Sequence, residues 1–296
     1  MGEFFPRDGL QGRAEHMSRL PRFHFIPLCT LIAGFFCAVA LAIPASASVV
    51  DLTGSVGANG TVNGAIFQVD TSNEAAGVGV FGTFYELQNS PVDRGFNTSA
   101  RPSNYDFFDM KNPAPHNHDI QLNQVPLRFV NGVPYLEFLL NINEPASNPY
   151  LSMDVFQVYT APTGNRFTTT FSPAGNELQG TLPGLGTLRY NLDAGSDSVV
   201  LLNYNVISSG TGRADMTALV PLSNFAGTQA TDYVYLYTYF GAQGVVGDRD
   251  YGAAAGHEDW AVDTDPTRVH APEPATMGLM LLGLGGMAAL RRRRAH

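Results

Sequence analysis

Cysteine and lysine are almost missing from this chain. The two cysteines, Cys29 and Cys37, both fall within the first 47 residues. From Ser48 onward there is thus no thiol to form a disulfide, attack a substrate or ligate a metal. Lys111 is the single lysine and Trp260 the single tryptophan. Between Ser48 and His270, 22 Asp and Glu face 9 Arg and Lys, a balance of 9 − 22 = −13. That charge repels nucleic acid and anionic lipid, and a polyanionic partner needs a bridging cation. No G-x-S-x-G elbow, H-E-x-x-H pair or glycine-rich loop opening a helix is present, so the common signatures of nucleophilic, zinc and phosphate chemistry are missing. No repeat of about 20 to 50 residues recurs, which argues against solenoids and propellers.

What the chain does carry is clearest at its ends. Residues 1–16 are polar and without period, an expected upstream extension, and Met17 is the expected start of a secretory signal over 17–47. Arg19 and Arg22 make its basic region, Ile26–Ile43 its apolar region, and Ala45-Ser46-Ala47 its cleavage site, leaving Ser48 first. Phe36 and Leu28 precede the cysteines where a lipoprotein needs a small residue, and no twin-Arg pair occurs. Near the other end Pro272 and Pro274 flank Glu273; the two rings hold the backbone extended and end the preceding domain. Thr276–Leu290 is uncharged over 15 residues, about 22 Å as a helix and short of a ~30 Å hydrocarbon core. Arg291, Arg292, Arg293 and Arg294 follow; they can snorkel to an anionic cytoplasmic face and set the C-terminus inside.

Pro272-Glu273-Pro274, the run with Gly278, Gly283, Gly285 and Gly286, and the arginine cluster together resemble the PEP-CTERM sorting domain of diderm bacteria. The resemblance implies general secretion, transient anchoring in the inner membrane, and cutting near Pro-Glu-Pro by an exosortase, which passes the product to the cell surface or an exopolysaccharide matrix. Further stretches resemble a group of PEP-CTERM proteins with no assigned activity: Arg94–Thr98, Tyr135–Pro145, Tyr190–Asp193, Tyr233–Phe240 and His257–Val262. They imply a β architecture and hand over no catalytic residue.

Between the two ends, residues 48–271 read as one domain of short strands, with 272–296 as the sorting segment. Runs rich in Val, Tyr, Phe and Leu occupy Val62–Val69, Val78–Leu87, Val125–Val130, Val133–Ile142, Leu151–Tyr159, Thr187–Leu192, Val199–Val206, Met216–Leu222 and Tyr233–Phe240. Asn131-Gly132 predicts a tight hairpin, and Ala194–Ser198 a second, longer hairpin loop. The expected fold is all-β, an antiparallel sandwich flanked by an N-terminal signal helix and a short C-terminal transmembrane helix.

Tyr233, Tyr235, Tyr237 and Tyr239 alternate onto one strand face. Sheet packing accounts for such a row, and so does stacking on sugar rings, with Tyr235 and Tyr237 as the candidates. Asp248-Arg249-Asp250-Tyr251-Gly252, with Glu258 and Asp259 nearby, offers oxygen ligands for calcium between loops, although Gly252 and Ala253 depart from an EF-hand. His116 and His118 share a face if extended but lack a third ligand for zinc or copper. Trp260 reads as a core anchor. The expectation is an exported, exosortase-processed, non-enzymatic surface or matrix protein associated with exopolysaccharide in a biofilm, with no obligatory cofactor. A carbohydrate-binding module, calcium-dependent or not, and a polysaccharide hydrolase built on paired carboxylates are the alternatives.

Overall fold

Alternation of large apolar side chains with polar ones, broken every few residues by Gly, Asn or Pro, makes the described residues a series of strands joined by loops and short 3-10 turns. The computed structural model describes residues 47–70, 81–111, 115–206, 214–254 and 256–263, all in one unit, Pro44–His296. The signal segment up to Ser46 and the sorting segment lie outside the described residues, and so do both helices expected there. Among the described residues there is no α-helix, and no helix long and apolar enough to cross a membrane.

The first strands are β1 (Val49–Asp51), β2 (Asn59–Val62), β3 (Ala65–Val69), β4 (Phe81–Leu87) and β5 (Asp93–Phe96). Next come β6 (Ile120–Gln121), β7 (Leu127–Val130), β8 (Val133–Asn141), β9 (Tyr150–Ala161), β10 (Thr187–Asn191) and β11 (Val199–Asn203). β12 (Met216–Pro221), β13 (Tyr233–Phe240), the ribbon β14 (Val245–Val246) with β15 (Arg249–Asp250), and β16 (Glu258–Asp263) complete the series. One sheet runs β1-β11-β9-β13-β5, with β10 also on β9 and β6 also on β13. The other runs β2-β3-β12-β8-β16-β4, with β7 also on β8. Among the described residues all pairings are antiparallel except β1 with β11.

The sheets face each other as a sandwich, and Phe156 of β9 is the pillar between them. Its ring lies 5.1 Å from Trp260, stacked, 5.7 Å from Phe67 and 6.4 Å from Phe138, all three on the opposite sheet. Trp260 is fully buried, as expected of a core anchor. The Tyr85 hydroxyl of β4 meets Thr238 Oγ1 of β13 at 3.1 Å across the same interior.

The outer face of the first sheet is covered as well. Phe96, Tyr105, Phe108, Phe167, Phe171 and Tyr237 form a second aromatic cluster there, with rings 5.1–6.4 Å apart. An Arg94–Glu177 ion pair closes its rim. Where β5 stops and β6 has not begun, the Asn97 side chain fills the gap along β13. It accepts from Leu236 N–H at 2.7 Å and donates to the Val234 carbonyl at 2.9 Å, taking the place of a missing strand residue.

Two expectations are corrected. Val62–Val69 is not one strand: Asn63 and Gly64, at φ 49° and 85°, turn β2 back on β3. This is the same Asn-Gly geometry as Asn131 and Gly132, at 50° and 81°, between β7 and β8, where the predicted hairpin forms. Ala194–Ser198 is not a hairpin loop. β10 and β11 do not pair with each other; both lie end to end along β9, whose 12 residues leave room for two short partners. The intervening loop is closed by the Asp193 carboxylate, which accepts Ser198 N–H at 2.8 Å.

Candidate functional site

The tyrosine row lies on the outer face of β13, as the alternation predicts, but it is not a solvent-facing platform. Tyr235 and Tyr237 are 0% exposed. The segment after β9 covers them: the Tyr235 hydroxyl accepts Arg166 N–H at 3.3 Å, and that of Tyr237 donates to the Glu177 carbonyl at 3.0 Å. Desolvation pushes both phenols above their ordinary range. The Tyr237 ring belongs to the second aromatic cluster, against Phe108 and Phe171.

The four carboxylates considered for calcium do not converge. Asp248 and Asp250 are exposed on the β14–β15 ribbon, and Asp250 Oδ1 is engaged by Gly252 N–H at 3.0 Å. Glu258 and Asp259 are consecutive on β16 and so point to opposite faces. Among the described residues no group of three or more His, Asp or Glu is placed to hold a metal ion.

Each face of β16 instead gathers acids from elsewhere in the chain. On the outer side, Glu86 of β4 receives both His116 and His257: Nδ1 of His116 is 2.6 Å from one carboxylate oxygen, and Nδ1 of His257 is 2.9 Å from the other. Asp259 stands beside them, its carboxyl pushed up to about 7 by burial and by Glu86, with His116 opposing. His118 turns away, bonded to the Pro115 carbonyl at 3.1 Å, so the two histidines of the His-x-His pair do not act together.

On the inner side Glu258 meets Asp93, the first residue of β5. Glu258 is two residues from Trp260 and shares its inward face; Asp93 is paired in register with Phe240 and is likewise buried. Both are 0% exposed. Glu144, on the loop after β8, is 2% exposed and accepts Ala254 N–H at 3.2–3.3 Å through its two oxygens. Burial is the main cause of the shifts here: Asp93 is pushed up to about 6, Glu144 to about 7, and Glu258 well above the carboxylate range. Three carboxyls thus approach one another at one end of the sandwich.

Sequence reasoning singled out Glu258 only as a calcium ligand and did not point to Asp93, Glu144 or Glu86. No local pattern could have shown them, because they reach β16 from strands and loops more than 100 residues away in sequence. A lone buried acid on a strand has no neighbour signature.

Comparison with known protein families matches residues 270–294 to the PEP-CTERM protein-sorting motif. Pro272-Glu273-Pro274 and Arg291–Arg294 fall inside the match. The chain therefore carries an exosortase-directed sorting signal, which marks it for export and for anchoring by its C-terminal region, with a surface or extracellular destination. Neither the curated proteins nor the solved structures searched include a match to the chain.

Proposed function

We propose that this protein is a non-catalytic component of the cell surface or extracellular matrix, delivered by an exosortase and retained by exopolysaccharide. The observation that carries the reading is the sorting motif at 270–294, attached to an all-β domain. A sorting signal of this kind makes the tail a substrate, cut after the β domain has been exported. The balance of −13 between Ser48 and His270 favours a hydrated polymer over nucleic acid or anionic lipid, with cations bridging to any acidic sugar.

The test is fractionation of the producing cell. In the wild type the chain should leave the membrane fraction with its tail removed and be recovered with the matrix. Without the exosortase it should remain uncut in the membrane fraction. Recovery of the uncut chain in the cytoplasm of wild-type cells would overturn the export reading. A strain lacking the polymer separates the two halves of the proposal: processed protein should then appear in the medium, and unchanged retention at the surface would remove the exopolysaccharide part alone.

A further inference from the structure

The carboxyls of Asp93 and Glu258 sit between the two sheets at one end of the sandwich, one from β5 of the first sheet and one from β16 of the second. Apart from the Asn89 backbone N–H, which favours ionised Asp93, none of their four oxygens has a donor from another group among the described residues. Two facing carboxylates have no proton to offer each other, so a doubly ionised pair would be buried with only the Asn89 N–H set against two charges, which is strongly unfavourable. With one proton between them the carboxyl donates to the carboxylate, and each becomes the other's partner, which gives Asp93 and Glu258 a hydrogen bond to one another.

The charged surroundings offer little compensation. From the loop after β8 comes Glu144, from β16 itself Asp259, and from β15 Asp250, whose charge acts on Glu144; all three are acids. From the segment along β4 come Asp109 and Lys111, which act on Asp93 with opposite sign. The Lys111 ammonium is held by the Gln88 side chain. The groups around the pair thus carry more negative than positive charge.

We propose that Asp93 and Glu258 form a proton-sharing latch that fastens the two sheets together, and that loss of the shared proton loosens this end of the sandwich. The latch has a definite sign. Both carboxyls hold protons more tightly folded than unfolded, so the folded state binds more protons across the window in which the unfolded groups have already ionised. The stabilisation is complete below the unfolded values, 3.8 for Asp and 4.5 for Glu. It starts to be lost as pH rises through about 6, where the pair gives up its first proton, and is lost in full only where the shared proton on Glu258 leaves, well above the carboxylate range. Each retained proton weakens the folding equilibrium by up to about tenfold per pH unit in that window.

The experiment is chemical unfolding of the purified full-length chain from pH 4 to pH 9, beside Asp93→Asn and Glu258→Gln. Each substitution keeps size and a donor–acceptor pair but removes the titrating proton. Both variants should lose about tenfold or more of the wild-type drop in folding constant between pH 5 and pH 8. Infrared spectra at pH 7 should show a protonated-carboxyl band that loses one component in Glu258→Gln, the remainder belonging to Glu144, Asp193 and Asp259, each pushed up to about 7. If Glu258→Gln does not fold, Asp93→Asn carries the same comparison. Equal pH slopes in wild type and variants, or a protonated-carboxyl band at pH 7 that is the same in wild type and Glu258→Gln, would overturn the latch. So would calcium that raises wild-type stability at pH 8 but not that of Asp93→Asn, since the pair would then be serving a cation.

Discussion

Phe156→Ala tests whether one ring holds the sheets together. Phe156 is 0% exposed and touches Trp260, Phe67, Phe138 and, at 5.7 Å, Tyr190. Three of these contacts cross between the sheets, so neither sheet can close the hole without moving against the other. Removing a buried phenyl costs about 3–5 kcal/mol, part transfer and part cavity, and here the upper half of that range applies because four aromatic neighbours lose a partner. Against a total stability of about 5–15 kcal/mol this is a large fraction. With a urea slope of about 2 kcal/mol/M, the midpoint should fall by about 2 M. Phe156→Leu, which keeps most of the volume, should lose less than half as much. Urea titration followed by near-ultraviolet circular dichroism reads both the midpoint and the Trp260 environment. A loss below about 1 kcal/mol for Phe156→Ala would refute the view that the sheets are packed through this residue.

Further outcomes follow from other parts of the chain. Gly132→Ala places a side chain at φ 81° and should destabilise by about 1 kcal/mol, seen as a lower thermal midpoint with native spectra retained, because the strain is confined to an exposed turn. Glu137→Gln weakens the 3.0 Å ion pair with Arg128, in which the glutamate is 3% exposed, and should cost more than removal of a surface pair; a urea midpoint unchanged from wild type would contradict this. Asp193 is pushed up to about 7, chiefly by burial, so its contribution is present below about pH 4 and lost as pH rises towards 7; Asp193→Asn should equal wild type at pH 4 and exceed it at pH 8 in the same titration. Replacing Arg291–Arg294 with glutamine should impair membrane insertion and processing, read as uncut chain outside the membrane fraction.

The sequence by itself determined the destination and the class of fold. The sorting motif is a local word, Pro272-Glu273-Pro274 with a greasy run and Arg291–Arg294, and local words survive without tertiary context. Period-two alternation likewise fixed most strands, and Asn131-Gly132 fixed a hairpin, since φ above zero is a property of the residues in the turn. Asn63-Gly64 carried the same signal and was hidden inside an apolar run. What only the tertiary structure decided was which faces are covered and which distant residues meet. Alternation placed the tyrosines on one face of β13 but could not say that Phe171 and Glu177, from a segment without strands of its own, would bury them. Nor could it say that β10 and β11 share β9 instead of each other, since pairing depends on the length of the partner. The Asp93–Glu258 pair belongs to the same category: nothing in either strand points to the other acid, and the two meet only because sheet packing brings β5 and β16 to one end of the sandwich.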